Sequence, residues 1–369
     1  MDLPASALES VLAAAVESRV FPGAVAACGR SDGPDRVVAR GRLTYEPGAP
    51  ATRPDTLYDL ASLTKVVVTT TLVAQLAEQG RLSLDQPVSR HLPDLRATLG
   101  EAVTVGHLLD HSSGLPAHLP LYLDTRGAAG FRQRLAGVAL EAPPGTRAAY
   151  SDLGFLALGL VVERLAGGTL DVLARERVLG PLGLRDTVFC PPAEWRGLIA
   201  PTELCPWRGR LLQGEVHDEN AFALGGVAPH AGLFGTAGDL ARFARCLLNG
   251  GGLDGARLLQ PATLALFTRR TQRPPGSSRA LGWDTPSGEA SSAGSRLSPR
   301  AFGHTGFTGT SLWVDPEAGL YVLLLSNRVH PSREGGLDAI RSVRRAVADA
   351  SVEVLGRERG GPAPQPARR

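Results

Sequence analysis

The chain of 369 residues contains only one lysine, Lys65, among 39 lysine and arginine residues, so the other 38 are arginines (39 minus 1). An arginine keeps its proton at any accessible pH. A lysine can lose its proton when burial or neighbouring charge lowers its pKa, and the free amine is then a base. The near-absence of lysine therefore indicates that position 65 requires an amine.

Other features that the sequence lacks exclude further classes of protein. No apolar run approaches the roughly 18–20 residues of a membrane span, and a formal net charge of +3 is too small to indicate a nucleic-acid partner. The four cysteines fit no metal-binding or redox spacing; they are Cys28, Cys190, Cys205 and Cys246. The N-terminus has no positively charged stretch before its first apolar positions, so the sequence predicts a cytoplasmic protein without a signal peptide.

Apolar periodicity predicts strands at both ends of the chain and helices between them. Residues 24–30 and 37–39 are typical of one β-hairpin, and residues 311–315 and 320–325 are typical of another. Seven segments between the hairpins repeat their apolar residues at helical spacing. They are 63–79, 104–111, 128–140, 153–166, 170–179, 238–249 and 261–270. Residues 272–300, rich in Pro, Gly, Ser and Arg, lack such a pattern and predict a surface loop.

These elements predict an α/β fold. A mainly antiparallel sheet built from both ends of the chain is flanked by the terminal helices and interrupted by an all-helical lobe. We expect one domain at 1–356, in which residues 1–75 and 225–356 form the α/β lobe and residues 76–224 form the helical lobe. The functional cleft would lie between the lobes. Residues 357–369 predict a disordered tail.

Ser62 stands three residues before Lys65. On a helix, positions i and i+3 share a face with Cβ atoms about 5–6 Å apart, so the amine reaches the hydroxyl as in an activated nucleophile. Residues 66–77 are apolar nearly all round and predict a buried helix, which would desolvate the amine and lower its pKa. The alternative is a surface lysine that follows a serine by chance.

Two further segments complete a recognisable set. Tyr150-Ser151-Asp152 precedes an apolar helix, and a glycine-rich segment at 303–309 precedes a strand. Together with Ser62-x-x-Lys65 they resemble the three signature elements of the active-site serine β-lactamase and penicillin-binding-protein superfamily, especially its class C branch of esterases, D-aminopeptidases and transacylases. Four other segments resemble that branch in the expected order: 104–115, 144–146, 181–184 and 232–236. The resemblance covers about residues 20–350 and implies a β-lactamase/transpeptidase-like fold.

The resemblance also implies a covalent mechanism. Ser62 attacks a carbonyl, an acyl-enzyme forms, and water or another acceptor releases it. Lys65 takes the serine proton directly or shares it with Tyr150, whose phenolate is favoured beside an ammonium, and such a pair titrates as a unit. The backbone N–H groups of Ser62 and Phe307 form the oxyanion hole. No cofactor and no metal are implied.

The chain departs from the family pattern at two positions that bear on its substrate. Asp152 stands where asparagine is common, and an ionised aspartate accepts hydrogen bonds but donates none. His304 stands where lysine is common, ahead of Thr305 and Gly306, and is only partly charged near neutral pH. Both changes disfavour a dedicated β-lactamase or DD-carboxypeptidase. These four residues are the predicted substrate-binding positions, with an amine of the substrate facing Asp152.

The sequence therefore predicts a serine hydrolase that acts on an ester, amide or D-aminoacyl bond of a small peptide-like molecule. An acyltransferase with the same acyl-enzyme, a β-lactam or peptidoglycan-fragment sensor without turnover, and an idle scaffold are the alternatives. Neither nucleic acid nor a membrane is indicated as a partner, and the oligomeric state is left open.

Several histidines outside the three motifs invite a metal-site interpretation. His107 and His111 are four residues apart but lack the glutamate of a zincin motif, so they predict a structural turn. Residues 215–220, with His230 after them, are denser in polar groups than a simple connector needs. They predict either a wall of the cleft or a loop whose polar groups are satisfied internally.

Overall fold

A computed structural model describes residues 7–288 and 291–357, and its main sheet joins the two ends of the chain. Five antiparallel strands follow the order β10-β11-β12-β1-β2, and β3, β7 and β4 form a second, three-stranded sheet. The strands are β1 Gly23–Arg30, β2 Arg36–Gly41, β3 Tyr58–Asp59, β4 Val188–Phe189, β5 Leu204–Cys205, β6 Arg210–Leu211, β7 Leu233–Gly235, β8 Gly252–Leu253, β9 Ala256–Arg257, β10 Phe302–Thr305, β11 Ser311–Asp315 and β12 Leu320–Ser326.

Helices cover both faces of the five-stranded sheet. The α-helices are α1 Ala7–Glu17, α2 Thr71–Glu78, α3 Val88–His91, α4 Arg96–Leu99, α5 Val105–Leu109, α6 Gly127–Leu135, α7 Asp152–Ala166, α8 Leu170–Ala174, α9 Glu219–Ala223, α10 Ala237–Leu248, α11 Pro261–Thr268 and α12 Leu337–Arg357. Short 3₁₀ turns at Pro93–Leu95, Leu121–Leu123 and Ala193–Leu198 and π-helical turns at Lys65–Thr70 and Arg175–Leu179 complete the set. Terminal helices α1 and α12 pack on one face of the sheet and α10 packs on the other.

The alternation of side chains along β1 divides the core into two layers. Ala24 and Ala26 point toward the terminal helices, whereas Val25 and Ala27 point toward the larger core around α2 and α7. Both faces of this strand are covered, so it is apolar throughout rather than alternately apolar and polar. The larger core places the start of the π-helical turn and α7 beside the end of the sheet.

The predicted α/β fold is confirmed, including both hairpins and the joining of the two chain ends through β1 and β12. Of the predicted loop at 272–300, residues 272–288 and 291–300 are described and are irregular as predicted, but they are not simply a surface loop, because Ala280 and Trp283 are buried. Of the predicted tail at 357–369, Arg357 ends α12 and the rest lies outside the described residues. The division into two lobes stays a prediction.

Among the described residues, no single helix combines the length and apolarity needed to cross a membrane. The pair Asp152–Ala166 and Leu170–Leu179 meets both conditions only when its two members are joined, and they are bent by 75°.

Candidate active site

Ser62 lies on a sharp turn between β3 and the helix that begins at Lys65. The turn depends on Ala61, whose φ of 47° is in the left-handed region that residues other than glycine rarely adopt. The buried Asp59 carboxylate accepts the Ala61 N–H at 2.8 Å, and the Thr64 hydroxyl donates to the Ala61 carbonyl at 2.7 Å. These two bonds fix the strained residue, and strain of this kind clusters at functional sites.

The Lys65 side chain is fully buried and its Nζ contacts three oxygen atoms. Nζ lies 2.9 Å from Ser62 Oγ, 3.1 Å from the His230 carbonyl and 2.7 Å from Asp152 Oδ1. The Ser62 and His230 contacts are hydrogen bonds, whereas the Asp152 contact is an ion pair in which Oδ1 receives no hydrogen bond from the described residues. The predicted proximity of the amine and the alcohol is therefore present in the structure.

The charge state of Lys65 differs from the expectation. Burial works to lower the pKa of the amine, but the carboxylate of Asp152 and the phenol of Tyr150 outweigh it, so the pKa of Lys65 is raised. For Asp152, burial is again outweighed by Lys65 and His118, and the pKa of this carboxyl is lowered. The prediction of a depressed lysine pKa is wrong, because the sequence argument weighed desolvation without the carboxylate partner. The resting site holds an ion pair.

Tyr150 lies directly before α7, whose N-terminus is capped by the Ser151 hydroxyl accepting the Gly154 N–H. Lys65 Nζ lies 4.8 Å from the centre of the tyrosine ring, so the phenol belongs to the same cluster. Burial raises the pKa of Tyr150, and the lowering effect of Lys65 does not overcome it. The phenolate expected beside the ammonium is therefore not the resting form, because the Asp152 charge compensates the ammonium instead.

The second predicted half of the oxyanion hole, Phe307, sits in a turn tied to the Ser62 segment. The Thr308 hydroxyl donates to the Asp59 carbonyl at 2.8 Å, and the Thr310 hydroxyl donates to the Leu60 carbonyl at 3.0 Å. Within residues 7–288 and 291–357, neither the Ser62 N–H nor the Phe307 N–H donates a hydrogen bond to a protein group. Both donors are thus available to an oxyanion.

The Phe307 side chain lies between two residues that sequence reasoning missed as neighbours of this turn. Its ring is 45% exposed, stacks on the His217 ring at 5.7 Å, and lies 4.7 Å below the Arg328 guanidinium. His217 in turn donates its backbone N–H to Asp59 Oδ2 at 2.6 Å. The polar segment at 215–220 therefore packs against the turn that contains Phe307.

His304 does not supply a positive charge to the site. It is 3% exposed, and burial together with the neighbouring Lys65 and Arg279 lowers its pKa well below the ordinary histidine value. Its Nδ1 lies 2.9 Å from the Thr305 carbonyl. Gly306 allows close approach of backbone to backbone, since a Cβ there would collide with Thr310 Oγ1 and the Leu60 carbonyl.

A cavity of about 250 Å³ opens beside Ser62 and brings most of the predicted residues together. Its walls are formed by Ser62, Tyr150, Arg279, Asp284, His304, Thr305, Gly306, Phe307, Arg328, Leu337 and Arg344. Asp152 is not part of this wall, because Lys65 occupies one of its oxygen atoms. The other oxygen lies 3.8 Å from Nδ1 of the half-exposed His118.

Two of the three arginines in the cavity wall have no counter-charge. Arg344 donates to the carbonyls of Gly306 and Thr310, and burial lowers its pKa. Arg328 donates to Gly335, and burial lowers its pKa as well. Within the described part of the chain, neither guanidinium forms an ion pair, and Nε of each together with Nη2 of Arg328 is buried without a hydrogen-bond partner.

The polar side chains of the segment at 215–220 bond to other protein groups, which agrees with the predicted loop whose polar groups are satisfied internally. Asp218 caps α9 by accepting the Ala221 N–H at 2.7 Å and lies 3.0 Å from His230 Nε2. Burial works to raise the pKa of Asp218, but His230 lowers it to about 2. Because the His230 carbonyl contacts Lys65, this pair lies directly behind the amine. In the described ranges no three His, Cys, Asp or Glu side chains are placed to hold a metal ion.

The comparisons with known proteins agree with this geometry. The family model described as Beta-lactamase matches residues 8–345, so the chain belongs to the β-lactamase family of serine β-lactamases and penicillin-binding proteins. A putative D-alanyl-D-alanine carboxypeptidase of Escherichia coli (strain K12) is 34% identical over 310 residues, 74% of this chain and 70% of that protein. An N-acetylmuramyl-L-alanine amidase of Bacillus subtilis (strain 168) is 33% identical over 307 residues, 74% and 68% of the two chains.

Solved structures with the same fold include a hydrolase with acyltransferase activity and a synthase. The structure of EstCE1, described as a hydrolase with promiscuous acyltransferase activity, is 25% identical, with a TM-score of 0.74 over 93% of this chain and 97% of that chain. A mutant of simvastatin synthase from Aspergillus terreus is 25% identical, with a TM-score of 0.73 over 96% and 95% of the chains. The predicted membership of this superfamily is confirmed, and the chain is a member of a serine hydrolase family.

Proposed function

We propose that this protein is a serine hydrolase that cleaves an amide or ester bond of a peptide-like substrate through an acyl-enzyme on Ser62. One observation carries the proposal: the buried Lys65 amine lies 2.9 Å from Ser62 Oγ, at a cavity that two unengaged backbone N–H groups border. A nucleophile, an amine within hydrogen-bond reach and an oxyanion site are the parts that acyl transfer requires. The predicted cytoplasmic location stays a prediction.

The three contacts of Lys65 suit both of its protonation states. As an ammonium it donates to Ser62 and His230 and forms an ion pair with Asp152. As a neutral amine it keeps an N–H donor for the His230 carbonyl, and its lone pair can accept from the Ser62 hydroxyl. The step from resting site to base therefore removes one proton and needs no rearrangement of heavy atoms. Asp152 and Tyr150 set how readily that proton leaves.

The chemical sequence follows from this arrangement. Ser62 Oγ forms a bond to the carbonyl carbon while its proton passes to the coupled Lys65–Tyr150 group, and the N–H groups of Ser62 and Phe307 bind the oxyanion. The same group then returns the proton to the leaving amine or alcohol as the acyl bond breaks. Water repeats the attack on the acyl-enzyme and releases an acid.

The cavity favours a substrate that carries a carboxylate on the leaving-group side. Arg328 and Arg344 are buried cations without counter-charges, and an unpaired buried charge is costly, so an anionic group of the substrate would complete them. A free D-amino acid as leaving group fits this requirement, and the relatives named as carboxypeptidases point to the same class. Arg328 and Arg344 would thus supply the positive charge that His304 does not carry.

Arg328→Leu tests this specificity. We expect kcat/KM for an acyl-D-alanyl-D-alanine to fall about tenfold or more relative to kcat/KM for its C-terminal amide, as for loss of a hydrogen bond to a charged group. The amide lacks the carboxylate but has the same scissile bond, so the ratio cancels any general damage to the site. An unchanged ratio of the two kcat/KM values would rule out Arg328 as the carboxylate partner.

A fluorophosphonate probe tests the proposed function itself, because it forms a bond to an activated serine and displaces fluoride. We expect the protein to be labelled, Ser62→Ala to lose the label, and the unlabelled protein to turn over members of a panel of p-nitrophenyl esters, D-aminoacyl anilides and a chromogenic cephalosporin. Labelling that persists in Ser62→Ala would disprove the assignment of the nucleophile.

Acyl transfer is the second candidate, and the likeness to EstCE1, a hydrolase with acyltransferase activity, favours it. The same acyl-enzyme would be released by an amine or alcohol instead of water. Added D-amino acids or short alcohols would then yield a new amide or ester during turnover of an ester substrate. A sensor, in contrast, would stay acylated after the substrate is removed.

A further inference from the structure

His111 contacts the segment around Tyr150 at three points. Its carbonyl accepts the N–H of Ala149 at 2.9 Å, and its ring Nδ1 accepts the N–H of Ser151 at 3.0 Å. Its ring centre lies 4.6 Å from the ring centre of Tyr150. The residues before and after the tyrosine are thus both fixed by one histidine.

We propose that His111 is a positioning residue that aims the Tyr150 hydroxyl at Ser62 and Lys65, which rests on the proposed function of that site. The phenol shares the buried cluster with Lys65 and the cavity wall with Ser62, and its hydroxyl has no hydrogen-bond partner among the described residues, so the position of residues 149–151 sets where that hydroxyl lies relative to the serine. Misplacement by about 1 Å is enough to cost about 10²-fold in rate.

The backbone of His111 has a positive φ, a conformation that turns usually reserve for glycine. Its φ is +61°, and it is followed by Ser112, whose N–H and hydroxyl both donate to Asp110. Asp110 is fully buried and also accepts from Arg273 Nε at 2.8 Å. Glycine in this position would relieve the backbone strain but would have no ring to accept the Ser151 N–H, so the histidine side chain itself is needed.

The hydrogen bond at Nδ1 fixes the tautomer of the His111 ring. A ring nitrogen accepts an N–H only when it carries no proton, so Nδ1 is the bare nitrogen and Nε2 carries the hydrogen. The ring is 2% exposed, and within the described residues Nε2 has no hydrogen-bond partner. Burial and the facing charges of Arg279 and Lys65, opposed by Asp152, lower the pKa of His111 well below the ordinary value. The acceptor therefore stays available at neutral pH.

His107 provides a matched comparison in α5, the helix that ends two residues before His111. Its Nδ1 also accepts a backbone N–H, that of Thr104 at 3.2 Å, where it closes the helix N-terminus. The chemistry of this bond is the same, but it holds Thr104 rather than a residue next to Tyr150. Replacing each histidine by phenylalanine keeps a ring and removes the acceptor.

The test measures kcat per active site, with active sites counted by fluorophosphonate titration so that unfolded protein is excluded. We expect His111→Phe to lower kcat about 10- to 100-fold. His111→Asn should restore most of that loss, because asparagine tolerates a positive φ and its Oδ1 can accept the Ser151 N–H. His107→Phe should lower Tm and leave kcat per site unchanged.

A double-mutant cycle separates positioning from general stability. In a Tyr150→Phe background, His111→Phe should lower the residual kcat no further, since the hydroxyl that it aims is already gone. An equal loss of kcat in both backgrounds, or a His111→Phe variant with wild-type kcat per site, would overturn the inference. Failure of the wild-type protein to label at all would instead overturn the proposed function.

Discussion

Replacing Lys65 by arginine is expected to lower kcat by about 10³-fold or more, within the range that a general acid–base group contributes. Arginine retains the positive charge and can pair with Asp152, so electrostatic support of the site is preserved. It cannot become a neutral base at any accessible pH. The proton of Ser62 then has no acceptor at 2.9 Å.

Chemical rescue separates the need for an amine from the need for a cation. Lys65→Ala leaves a small space beside Ser62, and added methylamine should restore part of the rate of ester hydrolysis. Guanidine, which is a cation but not a base at neutral pH, should restore none. Equal rescue by both compounds, or a Lys65→Arg variant within tenfold of the wild-type rate, would exclude Lys65 as a proton acceptor. Far-UV circular dichroism and Tm establish that each variant is folded.

The sequence alone predicted the contacts between residues that lie close along the chain. Ser62 and Lys65 are three positions apart, so helix geometry alone predicted their contact, and the apolar run after Lys65 predicted its burial. The glycines of the segment at 303–309 likewise predicted a close backbone approach, which Gly306 makes against Leu60 and Thr310. These features depend on local spacing and on simple sterics.

The features that sequence reasoning missed depend on long-range contacts. Asp152 is 87 positions from Lys65 (152 minus 65), and its role as the counter-charge became visible only when both side chains were placed. From the sequence alone, an aspartate where asparagine is common indicates a change in substrate contact. In the structure, the nearest partner of Asp152 is instead Lys65. Arg328 and Arg344 had no periodic or motif signal, because one follows β12 and the other lies on the terminal helix.

Replacing Asp152 by asparagine is expected to shift the pH dependence of kcat/KM. Asparagine is close to aspartate in size but has no charge, so the main opposition to burial of the amine is lost and the pKa of Lys65 falls. Below its pKa the amine is protonated and cannot accept the serine proton. The acidic limb of the kcat/KM profile should therefore move to lower pH, by about two units, which is typical for loss of an adjacent opposite charge.

Repeating Asp152→Asn in a Tyr150→Phe background shows whether Lys65 or Tyr150 causes this shift of the acidic limb. Asp152 raises the pKa of Tyr150 as well as that of Lys65, so Asp152→Asn alone would move the limb in the same direction whichever group is the base. With the phenol removed, a limb that still moves to lower pH on Asp152→Asn belongs to Lys65. A limb that moves only when Tyr150 is present makes the phenol the proton acceptor, and the ammonium then serves to stabilise its ionised form. An acidic limb that Asp152→Asn leaves in place in both backgrounds would contradict control of the site by the ion pair.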